Sequence, residues 1–393
     1  MNLDDDFYMK RSSHNGKKLV YFDNASTTFK PKQTIDGINE YYKNYTSNVY
    51  RGDYINSEKA SIKIDECREL VSVLINSMPE EIIFTHNCSD SINSIGGMIG
   101  LNKEDIVLCS DVEHHSNYLP WINRANLKVI KTNKTGTLDM DDLESKIKQY
   151  SPKLISITAV SNITGNIQPI EEICRIASKY NVISVIDACQ FAPHCQINVQ
   201  KIGCDFLAFS AHKMLGPTGV GILYGKMDRL KKCKIIKYGG GMVDKITNES
   251  IRYKDVPDCF ECGTPAIEGI IGFSYSLRYL LNIGYDNIEN YMNNLEEYMH
   301  QRLLKLDNIN LIFPISKKHT PIFTFNFKNE ELDIHYVAKL LSDSYNIAVS
   351  AGYQCSQPLY SKFNVKGGIR ASLYIYNTKE EIDYFIEKIG EIK

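Results

Sequence analysis

Residues 204–224 read C-D-F-L-A-F-S-A-H-K-M-L-G-P-T-G-V-G-I-L-Y. Two runs rich in aromatic, aliphatic and β-branched residues, 206–209 and 220–224, flank a turn-forming centre, so the stretch reads as strand, loop, strand. Lys213 lies in that loop, after Ser210-Ala211-His212 and just before Gly216-Pro217. A lysine at the end of an apolar strand is poorly solvated, and desolvation favours the neutral amine that attacks carbonyls. That is what a Schiff-base lysine requires. Alone, a loop lysine is an ordinary surface residue; the groups placed around it by the rest of the chain decide between the two.

Outward from this stretch the chain keeps a regular beat of strand, turn and helix. Strand-like runs fall at 82–85, 106–109, 127–130, 154–160, 182–186, 206–209 and 220–224, with helical stretches between most of them and a long amphipathic helix before them at 57–76. Seven short strands in alternation with helices predict an α/β fold with a mostly parallel sheet covered on both faces. Ligands of such sheets bind beyond the carboxyl ends of the strands, and polar residues gather there. E-H-H-S-N (113–117) offers His114, a flat imidazole able to stack and exchange protons. S-N-I-T-G (161–165) offers Asn162, and V-I-S-V-I-D-A-C-Q (182–190) offers Asp187 and Gln190. A carboxylate ending an apolar strand needs a cationic partner, for which a pyridinium nitrogen, a lysine or an arginine would each serve. H-N-C-S-D-S-I-N (86–93) leads into a helix whose first-turn amides and Ser89 hydroxyl are placed to hold a phosphate. Cys88 is a weaker donor there.

The C-terminal part reads as long helical patterns over 266–306, a strand at 321–327, a helix at 334–344, strands at 347–349 and 369–373 and a last helix at 379–392. At 393 residues two domains are expected, and 43% apolar with 23% charged residues is a globular composition. A formal charge of −2 gathers neither nucleic acid nor an anionic membrane. No long apolar run is present and the start, M-N-L-D-D-D, is acidic, so neither a membrane span nor a secretory signal is expected. Eleven cysteines spread along the chain fit packing residues in a reducing, cytoplasmic setting better than a disulfide scaffold or a zinc ribbon. No metal site is expected. Cys355 differs from the others: it lies on a loop between Gly352 and Pro358, where a thiol is accessible.

With Asp187 and His114, S-A-H-K-M-L-G-P-T-G (210–219) resembles the lysine motif of the class V aminotransferase superfamily. More narrowly it is similar to that of SUF-type cysteine desulfurases, which usually carry glycine where Ala211 stands. Y-F-D-N-A-S-T-T (21–28), N-V-Y-R-G-D (48–53), F-E-C-G-T-P (260–265) and I-A-V-S-A-G-Y-Q-C-S-Q-P-L (347–359) resemble further family motifs, so the likeness runs from Tyr21 to the last helix. It implies the type I fold of enzymes that use pyridoxal 5'-phosphate (PLP), in a homodimer. The large cofactor domain would span 24–285; residues 1–23 and 286–393 would form a small domain carrying the active-site cysteine loop.

By the same resemblance the cofactor is bound by Cys88, Ser89, His114, Asn162, Asp187, Gln190, Ser210, His212 and Lys213, with Thr264 reaching the phosphate held by the other subunit. Arg370, Asn162 and Arg51 are implied to bind substrate, Arg370 by gripping its α-carboxylate. Lys213, His114 and Cys355 are implied to be catalytic, Cys355 taking sulfur from L-cysteine as a persulfide and releasing L-alanine. A SUF-type acceptor protein would then carry the sulfur to iron–sulfur cluster assembly, and His335 resembles a histidine some members use with that acceptor. Tyr50, Cys88, Ser350, Tyr353 and Gln354 depart from the usual residues. Those departures keep two alternatives open: a class V relative acting as a selenocysteine or other C–S lyase, and a non-enzymatic scaffold.

Overall fold

A computed structural model describes Met1 and residues 3–392. Its centre is a seven-stranded sheet built from β1 (Ile82–Thr85), β2 (Ile106–Ser110), β3 (Asn126–Ile130), β4 (Leu154–Thr158), β5 (Ile183–Asp187), β6 (Phe206–Ser210) and β7 (Gly221–Gly225). The order in space is β1-β7-β6-β5-β4-β2-β3. Only β7 runs antiparallel to its neighbours; every other pair is parallel, as the alternation of strands and helices predicts. Every residue of β4 and β6 is buried, which is why these strands read as near-continuous apolar runs. From β2 and β3 the chain returns strand by strand through β4, β5 and β6, so residues that follow these strands come together at one end of the sheet.

Among the described residues, three α-helices lie ahead of β2: α1 (Lys32–Asn44), α2 (Ile55–Ile75) and α3 (Cys88–Met98). α3 starts against β7, and a Cβ at Gly221 would stand 2.5 Å from the Asn87 backbone, so only glycine lets the strand pass this close. The helical pattern over 266–306 is two helices, α4 (Ile267–Ile283) and α5 (Tyr285–Leu303), because Gly284 takes φ +83° and ends the first. α4 packs against both α1 and α2.

A second, antiparallel sheet follows, with β8 (Ile309–Leu311), β9 (Ile322–Phe327), β10 (Ser350–Gly352) and β11 (Gly368–Ser372) in the order β8-β9-β11-β10. α6 (Ile334–Tyr345) and α7 (Lys379–Glu391) belong to this unit, α7 starting from a capping box between Thr378 and Glu381. The strand expected at 347–349 is divided: Ile347–Ala348 pairs with Val20–Tyr21 near the amino terminus, and Ser350–Gly352 pairs with β11. β8 and a hairpin of Val243–Ile246 with Ile251–Tyr253 have no counterpart in the sequence reading, because strands of three or four residues are too short to show a period. One apolar core joins the two sheets, containing Ile186 and Phe209 from the first and Phe325, Ile369 and Ile382 from the second unit. No helix among the described residues is long and apolar enough to cross a membrane.

Candidate active site

The loops after β2, β4, β5 and β6 enclose a cavity of about 380 Å³. Its wall brings together Cys88, Ser89, His114, Asn162, Asp187, Gln190, Ser210, His212, Lys213, Ser350, Gln354, Cys355 and Arg370, residues drawn from the whole length of the chain. Arg51 and Thr264 are not among them. They line a second cavity of about 250 Å³ together with Tyr50 and Glu261. Glu261 is fixed there by a two-pronged ion pair with Arg68 of α2, 2.9 Å on each arm, and by the Phe84 amide at 2.7 Å. Tyr50 is half exposed at φ +62°, its hydroxyl donating to Asp65 at 2.7 Å, and it lines the second cavity, not the first.

Asp187 ends β5 almost fully buried. Its Oδ1 accepts the Cys189 amide at 2.9 Å and the Cys88 thiol at 3.5 Å, while no donor among the described residues reaches Oδ2. Burial pushes this carboxyl above its ordinary range. The Lys213 amine makes no hydrogen bond or ion pair among the described residues, although the loop beneath it is held from four directions. The His212 carbonyl accepts the Thr28 amide and hydroxyl, the Thr27 hydroxyl and the Lys30 amine, at 3.1–3.2 Å. The segment at 21–28 and the lysine loop are thus one unit. Burial brings the Lys30 amine down to about 8, and nothing in the sequence pattern marks that residue.

His114 accepts the Ser116 amide on Nδ1 at 3.0 Å, which leaves its ring proton on Nε2. Burial, with Lys213 as the largest of the neighbouring charges, brings this imidazole down to about 3, so it is neutral at neutral pH. The preceding residue, Glu113, is another group the sequence reading missed. Buried under the site, it accepts Ser110 Oγ at 2.5 Å, Asn117 Nδ2 at 2.7 Å and the Thr158 amide of β4 at 2.9 Å, and burial raises it to about 8. At the start of α3 the Asn87 side chain caps the Asp90 amide at 2.9 Å, and Ser210 Oγ takes the Cys88 amide at 2.8 Å. No acceptor among the described residues takes the Ser89 amide.

Arg370 reaches the cavity from β11 and is 3% exposed. Its guanidinium donates to Asp23 Oδ1 at 3.1 Å, Ser26 Oγ at 2.8 Å and the Asn162 carbonyl at 3.0 Å, and its Nε is buried without a partner. Cys355 is exposed, at φ +60°, and follows Gln354 at φ +40°. Two successive non-glycine residues in the left-handed region need support, and several bonds supply it. The Asn162 amide donates to the Gln354 carbonyl at 2.9 Å and accepts Ser356 Oγ at 3.1 Å, while the His115 amide donates to the Cys355 carbonyl at 2.8 Å. Gln354 itself donates to the Gly368 carbonyl at 3.0 Å and accepts the Tyr360 hydroxyl at 2.7 Å. Tyr353 stands edge-on to Tyr360, ring centres 5.6 Å apart. Gln354 and Tyr353, two of the residues that depart from the family pattern around Cys355, are therefore parts of its support.

The sequence profile described as aminotransferase class V matches residues 20–385. The chain belongs to the class V aminotransferase family. Its class V relatives include a protein named probable cysteine desulfurase from Borreliella burgdorferi, 41% identical, spanning 97% of this chain and 93% of the relative. One of the same name from Halalkalibacterium halodurans is 39% identical over 96% of this chain and 94% of the relative. Among solved structures, the apo cysteine desulfurase of Thermococcus onnurineus superposes with a TM-score of 0.91 at 35% identity, covering 95% of this chain and 94% of that one. The cysteine desulfurase CsdA of Escherichia coli, in its S-sulfonic acid form, gives 0.89 at 27% identity over 99% and 98% of the two chains.

One feature of this class V chain escapes a reading of its cysteines as dispersed. Cys259 and Cys262 form a C-x-x-C within F-E-C-G-T-P and the residue before it. Cys259 is buried and its thiol is raised to about 11 by that burial, whereas Cys262 lines the second cavity.

Proposed function

We propose that this class V protein is a PLP-dependent cysteine desulfurase that converts L-cysteine to L-alanine and leaves the sulfur as a persulfide on Cys355. The observation that carries this reading is that one cavity holds an unpaired amine, a buried carboxylate with one unshared oxygen, an incompletely paired guanidinium and an exposed thiol. The free Oδ2 of Asp187 is the fit test for the cofactor: a buried carboxylate with one oxygen bonded to no donor is costly, and a protonated ring nitrogen would relieve it. Lys213 would attach the cofactor, Asp187 would hold its ring nitrogen, His114 would cover the ring, and Ser89, Ser210 and His212 would surround its phosphate. Thr264 of the second subunit would complete that phosphate site in a homodimer. When bound, PLP supplies an aldehyde for an amine and an electron-poor ring that spreads negative charge from the substrate α-carbon.

The protein's own groups do the rest. Arg370, already oriented by Asp23 and Ser26, offers its remaining N–H groups to the α-carboxylate of cysteine. Lys213 Nζ, freed when substrate amine takes its place, removes and returns the α-proton, and neutral His114 holds a donor at Nε2. The Cys355 thiolate bonds to the substrate sulfur; the carbon–sulfur bond breaks with its electron pair left on carbon, which is protonated and departs as alanine. The sulfur stays as Cys355–S–SH. Because Cys355 is exposed, this persulfide is open to a SUF-type acceptor protein, and iron–sulfur assembly is the use we assign to it. We also divide the chain into a cofactor domain at 24–285 and a small domain of 1–23 with 286–393, and place the protein in the cytoplasm, where its eleven cysteines stay reduced.

The test is a visible spectrum of the purified chain with PLP, before and after borohydride, with the reduced lysine mapped by mass spectrometry, followed by assays of alanine and persulfide. Reduction on Lys213 with equal yields of both products is expected. A chain that stays colourless, or one that forms alanine undiminished in C355A, would overturn the reading.

A further inference from the structure

The floor of the cavity holds two thiols to which the reaction assigns no chemistry. Cys88 opens α3 and Cys189 follows β5, far apart in the chain, yet a sulfur from each and a carboxylate oxygen of Asp187 all lie within 4.8 Å of one another. Cys88 Sγ is 3.5 Å from Asp187 Oδ1, and Cys189 Sγ is 3.7 Å from Ser210 Oγ. All three groups line the cavity, Cys88 and Asp187 buried and Cys189 partly so. The pairing comes from the fold alone, so no ligand spacing in the sequence announces it.

We propose that, before its cofactor is loaded, the pocket binds a thiophilic divalent cation of the zinc or cobalt type through Cys88 Sγ, Cys189 Sγ and the Asp187 carboxylate. Two sulfur ligands select such ions over magnesium or calcium, and three protein ligands leave one tetrahedral position open to the cavity. Each thiol gives its proton to solvent as its sulfur bonds the metal, two protons for each cation bound, and no electron moves. Three anionic ligands around a divalent ion leave one negative charge, and the Lys213 amine is near enough to act on all three groups. The metal site stands on this geometry by itself. Its consequence rests on the PLP reading: metal and ring nitrogen require the same carboxylate, so each excludes the other, and a free thiophilic ion would withhold the cofactor.

Cobalt(II) chloride is the probe. Added to the full chain stripped of PLP, it is expected to give the near-ultraviolet thiolate charge-transfer absorption and the visible bands of a tetrahedral site. Both should be lost in C88T and in C189A and kept in C355A and H335A. C88T and C189A are checked for folding by circular dichroism and urea unfolding of the metal-free protein, and a double variant of Cys259 and Cys262 excludes binding at that pair. Cobalt added first should slow the rise of PLP absorption, and the PLP-loaded chain should give no cobalt band. A band that survives in both C88T and C189A, or that depends on Cys355 or the C-x-x-C, overturns the site. A cobalt band of full strength in the loaded chain overturns the exclusion. Failure of the PLP reading has a separate signature, the absence of PLP absorption in metal-free protein, and leaves the cobalt result standing.

Discussion

Asp187 and Lys213 follow strands in which nearly every side chain is buried, whereas Cys355 stands exposed on a loop in the left-handed region. In the first region position is set by the sheet. β5 and β6 are neighbours in parallel register, so Asp187, which ends β5, and the start of the Lys213 loop, just past β6, are placed by backbone pairing that does not depend on particular side chains. In the second region position is set by side chains, through Asn162, Gln354, Tyr360 and Ser356. The contrast bears on the departures beside Cys355, Tyr353 and Gln354. A sheet keeps Asp187 in place whatever surrounds it, while a loop can exchange one supporting set for another provided each polar group finds a partner.

The largest effect expected from this contrast separates attachment from sulfur transfer. Lys213→Ala should lose both PLP absorption and alanine formation, by on the order of 10³-fold or more for the second. Cys355→Ala should lose alanine and persulfide to the same extent yet keep the absorption. Matching spectra and matching losses in the two variants would mean that the regions do not act separately. Visible spectroscopy combined with an alanine assay decides it.

Asn162 tests where the border lies. Family resemblance puts it with cofactor and substrate, and it lines the cavity, but its amide is occupied on both sides by the Cys355 loop. Asn162→Ala leaves the Gln354 carbonyl and Ser356 hydroxyl short of a partner, at a cost of about 1–3 kcal/mol each. If the loop is its main charge, persulfide formation should fall roughly 10–100-fold with an unchanged PLP spectrum. A shifted spectrum would move Asn162 to the cofactor side. Gln354→Ala removes two bonds from the same loop without touching the sheet. A smaller loss is expected, about 5–10-fold in persulfide rate, again with the spectrum intact.

What the sequence made legible follows the same division. The seven strands of the first sheet and the groups at their ends could be read because a buried parallel strand is a run of apolar residues, and the polar residue closing it stands out. Asp187 has that form, and His114 and Lys213 follow within a few residues of the ends of β2 and β6. The supports could not be read in this way. Lys30 bonds to a carbonyl 182 residues away, and the Arg68–Glu261 pair spans 193 residues. The Cys88–Cys189 contact likewise exists only once the start of α3 and the residues after β5 meet at the floor of the cavity. Arg51 and Thr264 mark a different limit: their motifs are plain, but within one chain they line another cavity than the one that holds Lys213.

The smallest effect lies at the seam between the two regions and is read through pH. His194 is buried with Nδ1 unpartnered, edge-on to Tyr374 at 5.4 Å, just past β11, and the Tyr374 hydroxyl donates back to the Pro193 carbonyl at 3.1 Å. Burial, and secondarily His319, brings its imidazole from 6.5 down to about 3. In that window the unfolded chain binds a proton at this position and the folded chain does not, so the folded state loses stability as pH falls from 6.5 toward 3. The slope from this one group is at most about 1.4 kcal/mol per pH unit. Other buried groups contribute as well: His114 and His212 slope the same way, while Glu113 and Asp187, whose carboxyls burial raises, slope the opposite way. The absolute profile therefore mixes both signs, and the difference between wild type and His194→Gln isolates one. Urea titrations at pH 7 and pH 5 should show wild type losing stability relative to the variant at the lower pH. An unchanged difference would mean that His194 is reached by water, and that the seam joining the cofactor sheet to the unit carrying Cys355 is open rather than packed.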